Sequence, residues 1–379
     1  MNHERLPFRV LSLDGGGMRG TYTATYLDKL AATFARRRNI DALDIGAAFD
    51  LIVGTSTGGI IAAALAIGVP LAEIVTLYAE NGSAIFSRPL PTGVVKVVPD
   101  IFKRRHALAA GATRLRAALT NKLGSKTLGQ VYAERAIALA IPAVEMSQHR
   151  GWVFKTPHLK DTNHRDDDYT LVDVCLATTA APVYRSLAAI DHPENHDGGF
   201  NVFVDGGLWA NNPVLVGLID ALDMAKPDQE IQIFSLGTCP LPAGEQIQKT
   251  AVNRGLPDWK FGGEAAGLAV DAQQFAFDNM ARKLARHIDR RCTVIRFPSE
   301  KVSAALIPYL SLDETRPEAI RALINQARTD ADMTNSKCAY SDSDPEGALI
   351  CALFESAPAL TNPVASRNHV SQTAGGIEV

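Results

Sequence analysis

The stretch Phe49-Asp50-Leu51-Ile52-Val53-Gly54-Thr55-Ser56-Thr57-Gly58-Gly59-Ile60-Ile61-Ala62-Ala63-Ala64-Leu65-Ala66-Ile67 decides the architecture. Phe49 to Val53 is an apolar run of strand length, and Ile60 to Ile67 is apolar all round, as a buried helix is. A buried strand passing directly into a buried helix is the repeating unit of an α/β domain with a largely parallel sheet. Between the two stands G-x-S-x-G. At a strand-to-helix junction this pentapeptide is a nucleophile elbow: the glycines Gly54 and Gly58 let the chain turn tightly, and the serine hydroxyl stands above the sheet at a helix N-terminus. Ser56 is therefore the candidate nucleophile, and the competing reading is a Gly/Ser-rich turn without chemistry.

Further strands are read at Phe8 to Leu13, Trp152 to Thr156, Val202 to Val204, Ile231 to Leu236 and Thr293 to Phe297. Tyr22, Tyr26, Leu27, Leu30 and Phe34 recur at helical spacing, so Thr21 to Arg37 should lay one face on the sheet. The first strand runs into Asp14-Gly15-Gly16-Gly17-Met18-Arg19-Gly20, which formally satisfies G-x-G-x-x-G. A dinucleotide site of that type needs an acid about 20 residues on to hold a ribose. Here Ala32 to Asn39 reads as helix continuing to a basic end, and the G-K-[ST] ending of a phosphate loop is missing too. The alternative is an oxyanion hole, with backbone N–H groups at Gly16, Gly17 and Met18 converging on the negative oxygen of an acyl-transfer intermediate. Arg19 would add positive potential there or serve as a structural anchor.

A serine nucleophile needs a base. None of the nine histidines lies in a motif. A hydrolase order of Ser, acid, His would leave His287, in a basic helix, and His369, in the polar tail. The third glycine signal is more informative: Val202-Phe203-Val204-Asp205-Gly206-Gly207 is a short strand ending in an acid and two glycines. Asp205 at a strand end beside Ser56 can accept the hydroxyl proton directly, whereas a lone Asp-Gly pair is by default a turn.

Composition sets the outer limits. A chain of 379 residues with 46% hydrophobic and 21% charged residues can bury a sizeable core, and a net charge of −3 gives no general field for nucleic acid. Five scattered cysteines without a CxxC suit a reducing cytosol and argue against structural zinc. No secretion signal is visible, and the most apolar stretch, Gly59 to Val69, is well short of the ~18 residues that span a bilayer, so any membrane contact is expected to be peripheral. From Phe86 to Gly124 the helical and strand patterns weaken, and this stretch reads as a less regular excursion. It carries Lys103, Arg104, Arg105, Arg114 and Arg116, which form either a patch for an anionic ligand or a solvated helix face. Leu256 to His287 reads as mostly helical.

Together the motifs resemble the patatin-like phospholipases: D-G-G-G-x-R-G at Asp14 to Gly20, G-x-S-x-G at Gly54 to Gly58, and D-G-G/A at Asp205 to Gly207. The run Ala177-Thr178-Thr179-Ala180-Ala181-Pro182 matches the Ala-Thr-rich helix start that precedes the aspartate motif in that family. The resemblance implies a three-layer α/β/α core over residues 8–237, a mostly helical C-terminal part over 238–361 packing on it, and a loose tail over 362–379. It also implies a Ser-Asp dyad of Ser56 and Asp205 that cleaves lipid esters without a metal or cofactor. Gly15, Gly16, Gly17, Met18 and Arg19 would form the oxyanion loop, with Gly206 and Gly207 completing the acid motif. More loosely, the chain is similar to bacterial patatin-like effectors that degrade membrane phospholipid in anti-phage defence when a cyclic dinucleotide switches them on. That implies a cytoplasmic protein, peripheral at the inner membrane face when active, and it leaves a homo-oligomer open. A constitutive lipid acyl hydrolase or thioesterase, and a non-enzymatic nucleotide-binding module built on Gly15 to Gly20, are the other readings.

Overall fold

Helices rather than hairpins join most of the strands, so most of the strands run parallel. In chain order the elements are β1 (Phe8–Leu13), α1 (Gly20–Arg37), β2 (Leu51–Gly54), α2 (Thr57–Ala66), α3 (Leu71–Ile85), α4 (Val94–Leu123), α5 (Leu128–Arg135), β3 (Ala138–Glu145) and β4 (Arg150–Lys155). There follow α6 (Leu171–Thr178), β5 (Ala188–Asp191), β6 (Phe200–Asp205), α7 (Gly207–Ala210), α8 (Val214–Met224), β7 (Ile231–Leu236), α9 (Gly263–Ala285), β8 (Cys292–Phe297), α10 (Pro317–Ala339) and α11 (Pro345–Ser356). This computed structural model describes residues 6–85, 94–193, 199–239, 247–255, 259, 263–298, 302–339 and 343–361.

The strands make one sheet in the order β5-β6-β3-β2-β1-β7-β8, with β4 paired to β3. From β3 to β8 the pairings are parallel, while β4, β6 and β5 are antiparallel to their neighbours. One face of the sheet buries the apolar stripe of α1 together with residues of α2, α3, α6, α10 and α11. The other face is covered by α8 and the C-terminal half of α9. These are the three α/β/α layers that the sequence implies. The stretch beyond residue 237 supplies β8 to the sheet as well as α9, α10 and α11.

The register around β3 positions the site. Ala140 pairs with Val53 on one edge and Lys155 on the other, and Ala143 pairs with Asp205 on one edge and Trp152 on the other. Because β4 occupies a single edge, β2 and β6 must share the opposite one, running towards each other along β3. Their C-terminal ends, which carry Ser56 and Asp205, therefore meet. Phe203, two residues before Asp205, is fully buried in an aromatic cluster, with ring centroids 5.0 Å from Phe154 and 5.6 Å from Trp152.

The two tyrosines of α1 are buried against α10, where the Tyr22 hydroxyl donates to Asp330 at 2.6 Å and Tyr26 shares a 2.7 Å hydrogen bond with Thr334. Phe354 of α11 stacks on Phe34 of α1 with centroids 5.3 Å apart. The weak pattern from Phe86 to Gly124 hides the 30-residue helix α4, a correction to the expected irregular excursion. Residues 86–93 of that stretch, and the tail 362–379, lie outside the described residues. Replacing Phe203 by Ala should cost ~3–5 kcal/mol through the cavity it leaves, measured by chemical denaturation. An unchanged midpoint would show that the aromatic cluster does not anchor β6.

Candidate active site

Ser56 sits at the bend between β2 and α2 with φ 54° and ψ −121°, a left-handed conformation that a non-glycine residue adopts at a cost of roughly 1–3 kcal/mol. Local contacts hold it there. The Ser56 N–H donates to Thr178 Oγ1 at 2.9 Å, and that hydroxyl donates in turn to the Pro142 carbonyl at 2.6 Å. From α3 the Tyr78 hydroxyl donates to the Thr57 carbonyl at 2.9 Å, and the Thr55 hydroxyl donates to the Ala210 carbonyl at 2.5 Å. The elbow also packs tightly on the first strand: a Cβ at Gly58 would lie 2.3 Å from the Leu13 carbonyl oxygen.

The Ser56 hydroxyl donates to Asp205 Oδ2 at 2.7 Å across 149 residues of sequence. Asp205 Oδ1 accepts the Gly207 N–H at 2.7 Å. The turn that presents the carboxylate needs Gly206, because a Cβ there would lie 2.2 Å from the Pro142 carbonyl oxygen. Ser56 and Asp205 are only 8% and 6% exposed, so the carboxylate has lost most of its water. Burial pushes the Asp205 carboxyl up to about 6, against the Ser56 hydroxyl, the Gly207 N–H and the nearby Arg185, each of which favours the charged form. The same burial draws the Arg185 guanidinium down to about 10. A carboxylate tuned this way is ionised at neutral pH yet far more basic than a surface aspartate, as general-base work requires.

Among the described residues no histidine is hydrogen-bonded to either side chain. His158 is buried elsewhere, with Nδ1 2.8 Å from the Thr156 hydroxyl and Nε2 3.4 Å from Asp220. His287 is exposed just beyond α9, and His369 lies outside the described residues.

The glycine loop lies against the serine, since a Cβ at Gly15 would come within 3.3 Å of Ser56 Cβ. Two of its N–H groups are committed elsewhere: Gly15 donates to the Asn211 carbonyl at 2.9 Å and Met18 to the Leu312 carbonyl at 2.8 Å. The expected Met18 donor is thereby corrected, because its N–H fastens the loop to the C-terminal part of the chain. The N–H groups of Gly16 and Gly17, together with that of Thr57 just after the serine, make no hydrogen bond to a described residue. Arg19 is buried and donates through Nε to the Gly16 carbonyl at 3.3 Å, which also accepts the Arg19 N–H at 3.1 Å. Fixing that carbonyl fixes the Gly16–Gly17 peptide plane, and in a trans peptide the Gly17 N–H then points the opposite way. Arg19 thus orients the loop. Burial lowers its pKa, and Asp271 is the first of the charges that oppose the shift.

The dinucleotide reading loses its ribose acid, because Gly20 to Arg37 is one helix and the following strand β2 ends in Gly54. Of the expected basic patch, only the side chains of Arg114 and Arg116 fall among the described residues. Arg114 and Arg116 are two positions apart on α4 and so point to different sides. Arg116 pairs with Asp173 at 2.8 Å, and the side chains of Lys103, Arg104 and Arg105 lie outside the described residues. Ala177 and Thr178 close α6 rather than opening a helix. Thr178, Asn211 and Arg185 are among the groups that sequence reasoning missed; Thr178 and Asn211 stood in quoted or neighbouring motif runs, but nothing in their spacing assigned them a partner.

Residues 11–218 match the patatin-like phospholipase family. The chain is 35% identical over 280 residues, 73% of its own length and 75% of the relative's, to a cGAMP-activated phospholipase of Pseudomonas aeruginosa. It is 31% identical over 341 residues, 86% of this chain and 84% of the relative, to a cGAMP-activated phospholipase of Escherichia coli. It is 33% identical over 248 residues, 62% of this chain and 65% of the relative, to a protein of the same description from Vibrio cholerae. With more than half of its length matched, and two such relatives covered over most of both chains, the protein belongs to the patatin-like phospholipase family and is a lipid acyl hydrolase.

Proposed function

We propose that this protein hydrolyses membrane phospholipids with a dyad of Ser56 and Asp205, and that cGAMP switches it on. The 2.7 Å hydrogen bond from the Ser56 hydroxyl to Asp205 Oδ2 carries the chemical part of the reading. Ser56 Oγ attacks the ester carbonyl carbon while its proton passes to Asp205. The carbonyl oxygen becomes an oxyanion, for which the N–H groups of Gly16, Gly17 and Thr57 are the available donors. Each such donor is typically worth ~2.7–4 kcal/mol of transition-state stabilisation. Collapse of the intermediate breaks the ester bond, and the leaving lysolipid alkoxide takes the proton from Asp205. Asp205 then accepts a proton from water, whose oxygen attacks the acyl-serine, releasing the fatty acid and restoring the serine.

The regulatory part rests on the descriptions of the three bacterial relatives. It has a physical rationale, since an uncontrolled phospholipase in the cytoplasm would attack its own cell. In this reading the protein acts from the cytoplasm on the inner membrane face, as an effector of anti-phage defence. This reading takes the membrane contact to be peripheral, and no helix among the described residues is long and apolar enough to cross a membrane.

Ser56→Ala and Asp205→Asn should each lower hydrolysis of a short-chain nitrophenyl ester by at least 10³-fold while leaving the circular dichroism spectrum unchanged. Full activity in folded Asp205→Asn would return the base to another group. Because Asp205 acts in its ionised form, kcat/KM should fall about tenfold per pH unit below about 6. A profile flat to pH 5 would contradict the assignment. With phosphatidylglycerol vesicles as substrate, cGAMP should raise both the melting temperature and the rate. A rate that is the same with and without the nucleotide would leave a constitutive enzyme.

A further inference from the structure

Asp14 opens the glycine loop and is fully buried, yet it is placed to bind nothing in the acyl-transfer chemistry. Its carboxylate is gripped from the C-terminal part of the chain. Arg296, on β8, donates through Nη1 to Asp14 Oδ1 at 3.0 Å and through Nη2 to Oδ2, and Nη1 also donates to the Ser235 hydroxyl at 2.9 Å. Gln274, on α9, donates through Nε2 to Asp14 Oδ2 at 2.5 Å. Burial pushes the Asp14 carboxyl up, and the Arg296 guanidinium opposes this by favouring its charged form.

The same helix holds the other side of the site. Gln274 Oε1 lies 3.4 Å from Asn211 Nδ2, and Gln273 Oε1 accepts the Asn211 N–H at 2.9 Å. Asn211 stands six residues after Asp205, accepts the Gly15 N–H on its carbonyl at 2.9 Å, and lies with Nδ2 3.4 Å from the Gly15 carbonyl. One turn of α9 therefore touches both the start of the glycine loop and the segment that follows Asp205. Neither α9 nor β8 falls within residues 11–218, the span matched to the family.

The geometry assigns Gln274 and Arg296 as positioning residues: acting through Asp14 and Asn211, they set the glycine loop against the Ser56–Asp205 pair so that the Gly16 and Gly17 N–H groups meet the oxyanion. Oxyanion donors act only in the transition state, so misplacing them lowers kcat with little change in KM. A displacement of about 1 Å can cost on the order of 10²-fold. Arg296→Lys keeps the charge but cannot reproduce the two-pronged grip on a carboxylate.

This inference rests on the acyl-serine reading above, and its test separates the two. Gln274→Ala and Arg296→Lys are made in the full chain and assayed with a nitrophenyl butyrate ester at saturating cGAMP. Rates are taken per serine titrated to completion by a fluorophosphonate, with Ser56→Ala as a control. Each variant should lose roughly 10- to 100-fold in kcat, with KM within about twofold of wild type and the acid limb near pH 6 unmoved, because Asp205 keeps its own partners. The two losses should be less than additive, since both substitutions act on one carboxylate. A wild-type kcat per titrated serine in Gln274→Ala, or a loss confined to KM, overturns the clamp while Ser56→Ala remains inactive. Activity in Ser56→Ala would instead overturn the acyl-serine reading. Should Arg296→Lys fail to fold, Gln274→Ala still decides, because Gln274 is half-buried and lies outside the apolar core.

Discussion

A carboxylate withdrawn from water must be compensated or it takes up a proton, and Asp205 is held between those outcomes. A serine hydroxyl, one backbone N–H and a neighbouring guanidinium favour its charged form, and burial opposes them. The balance leaves a group that is ionised near neutrality yet ready to accept a proton. Each partner comes from a different part of the chain: Ser56 from the elbow after β2, Gly207 from the turn after β6, and Arg185 from the segment between α6 and β5. Much of the architecture described above amounts to holding these pieces still around one desolvated oxygen pair.

The strain at Ser56 fits the same picture. A bend of that kind persists only when surrounding structure over-determines it. Here Thr178 satisfies the serine N–H, Tyr78 holds the next carbonyl, and Gly58 lets α2 begin in contact with the end of β1. The glycine loop is bounded in a comparable way, with Asn211 and Thr238 against Gly15 and Gly16, and Leu312 against Gly17 and Met18. Parts of the chain remote in sequence thus bear on the loop from several sides, so a displacement of any of them is felt where the donors stand.

The motifs were legible because they are local. A strand, five residues and a helix carry the elbow, and its glycines announce the turn. The acid motif is a strand-ending aspartate followed by two glycines, and it was the resemblance of the three motifs together that paired it with Ser56, since an Asp-Gly pair alone is by default a turn. The strand β3 escaped notice because Ala138–Glu145 is alanine-rich and interrupted by Pro142, both poor strand signals, although its burial between two paired edges overrides propensity. The helix α4 was masked by the prolines at its start and by a mixed polar pattern. Thr178, Arg185, Gln274 and Arg296 gain their roles only through tertiary proximity, as the separation of 282 positions between Asp14 and Arg296 illustrates, and periodicity carries no information about that.

The head-to-head approach of β2 and β6 makes β3 a ruler. Val53 is opposite Ala140 and Asp205 opposite Ala143, so Ile141 and Pro142 alone measure the gap between the two chain ends. Residues along a strand advance by about 3.3 Å, more than the whole length of a hydrogen bond. Lengthening this short measure by one unit would therefore part the Ser56 hydroxyl from the Asp205 carboxylate without altering either. In this enzyme the spacing of the chemistry is written in a strand that takes no part in it.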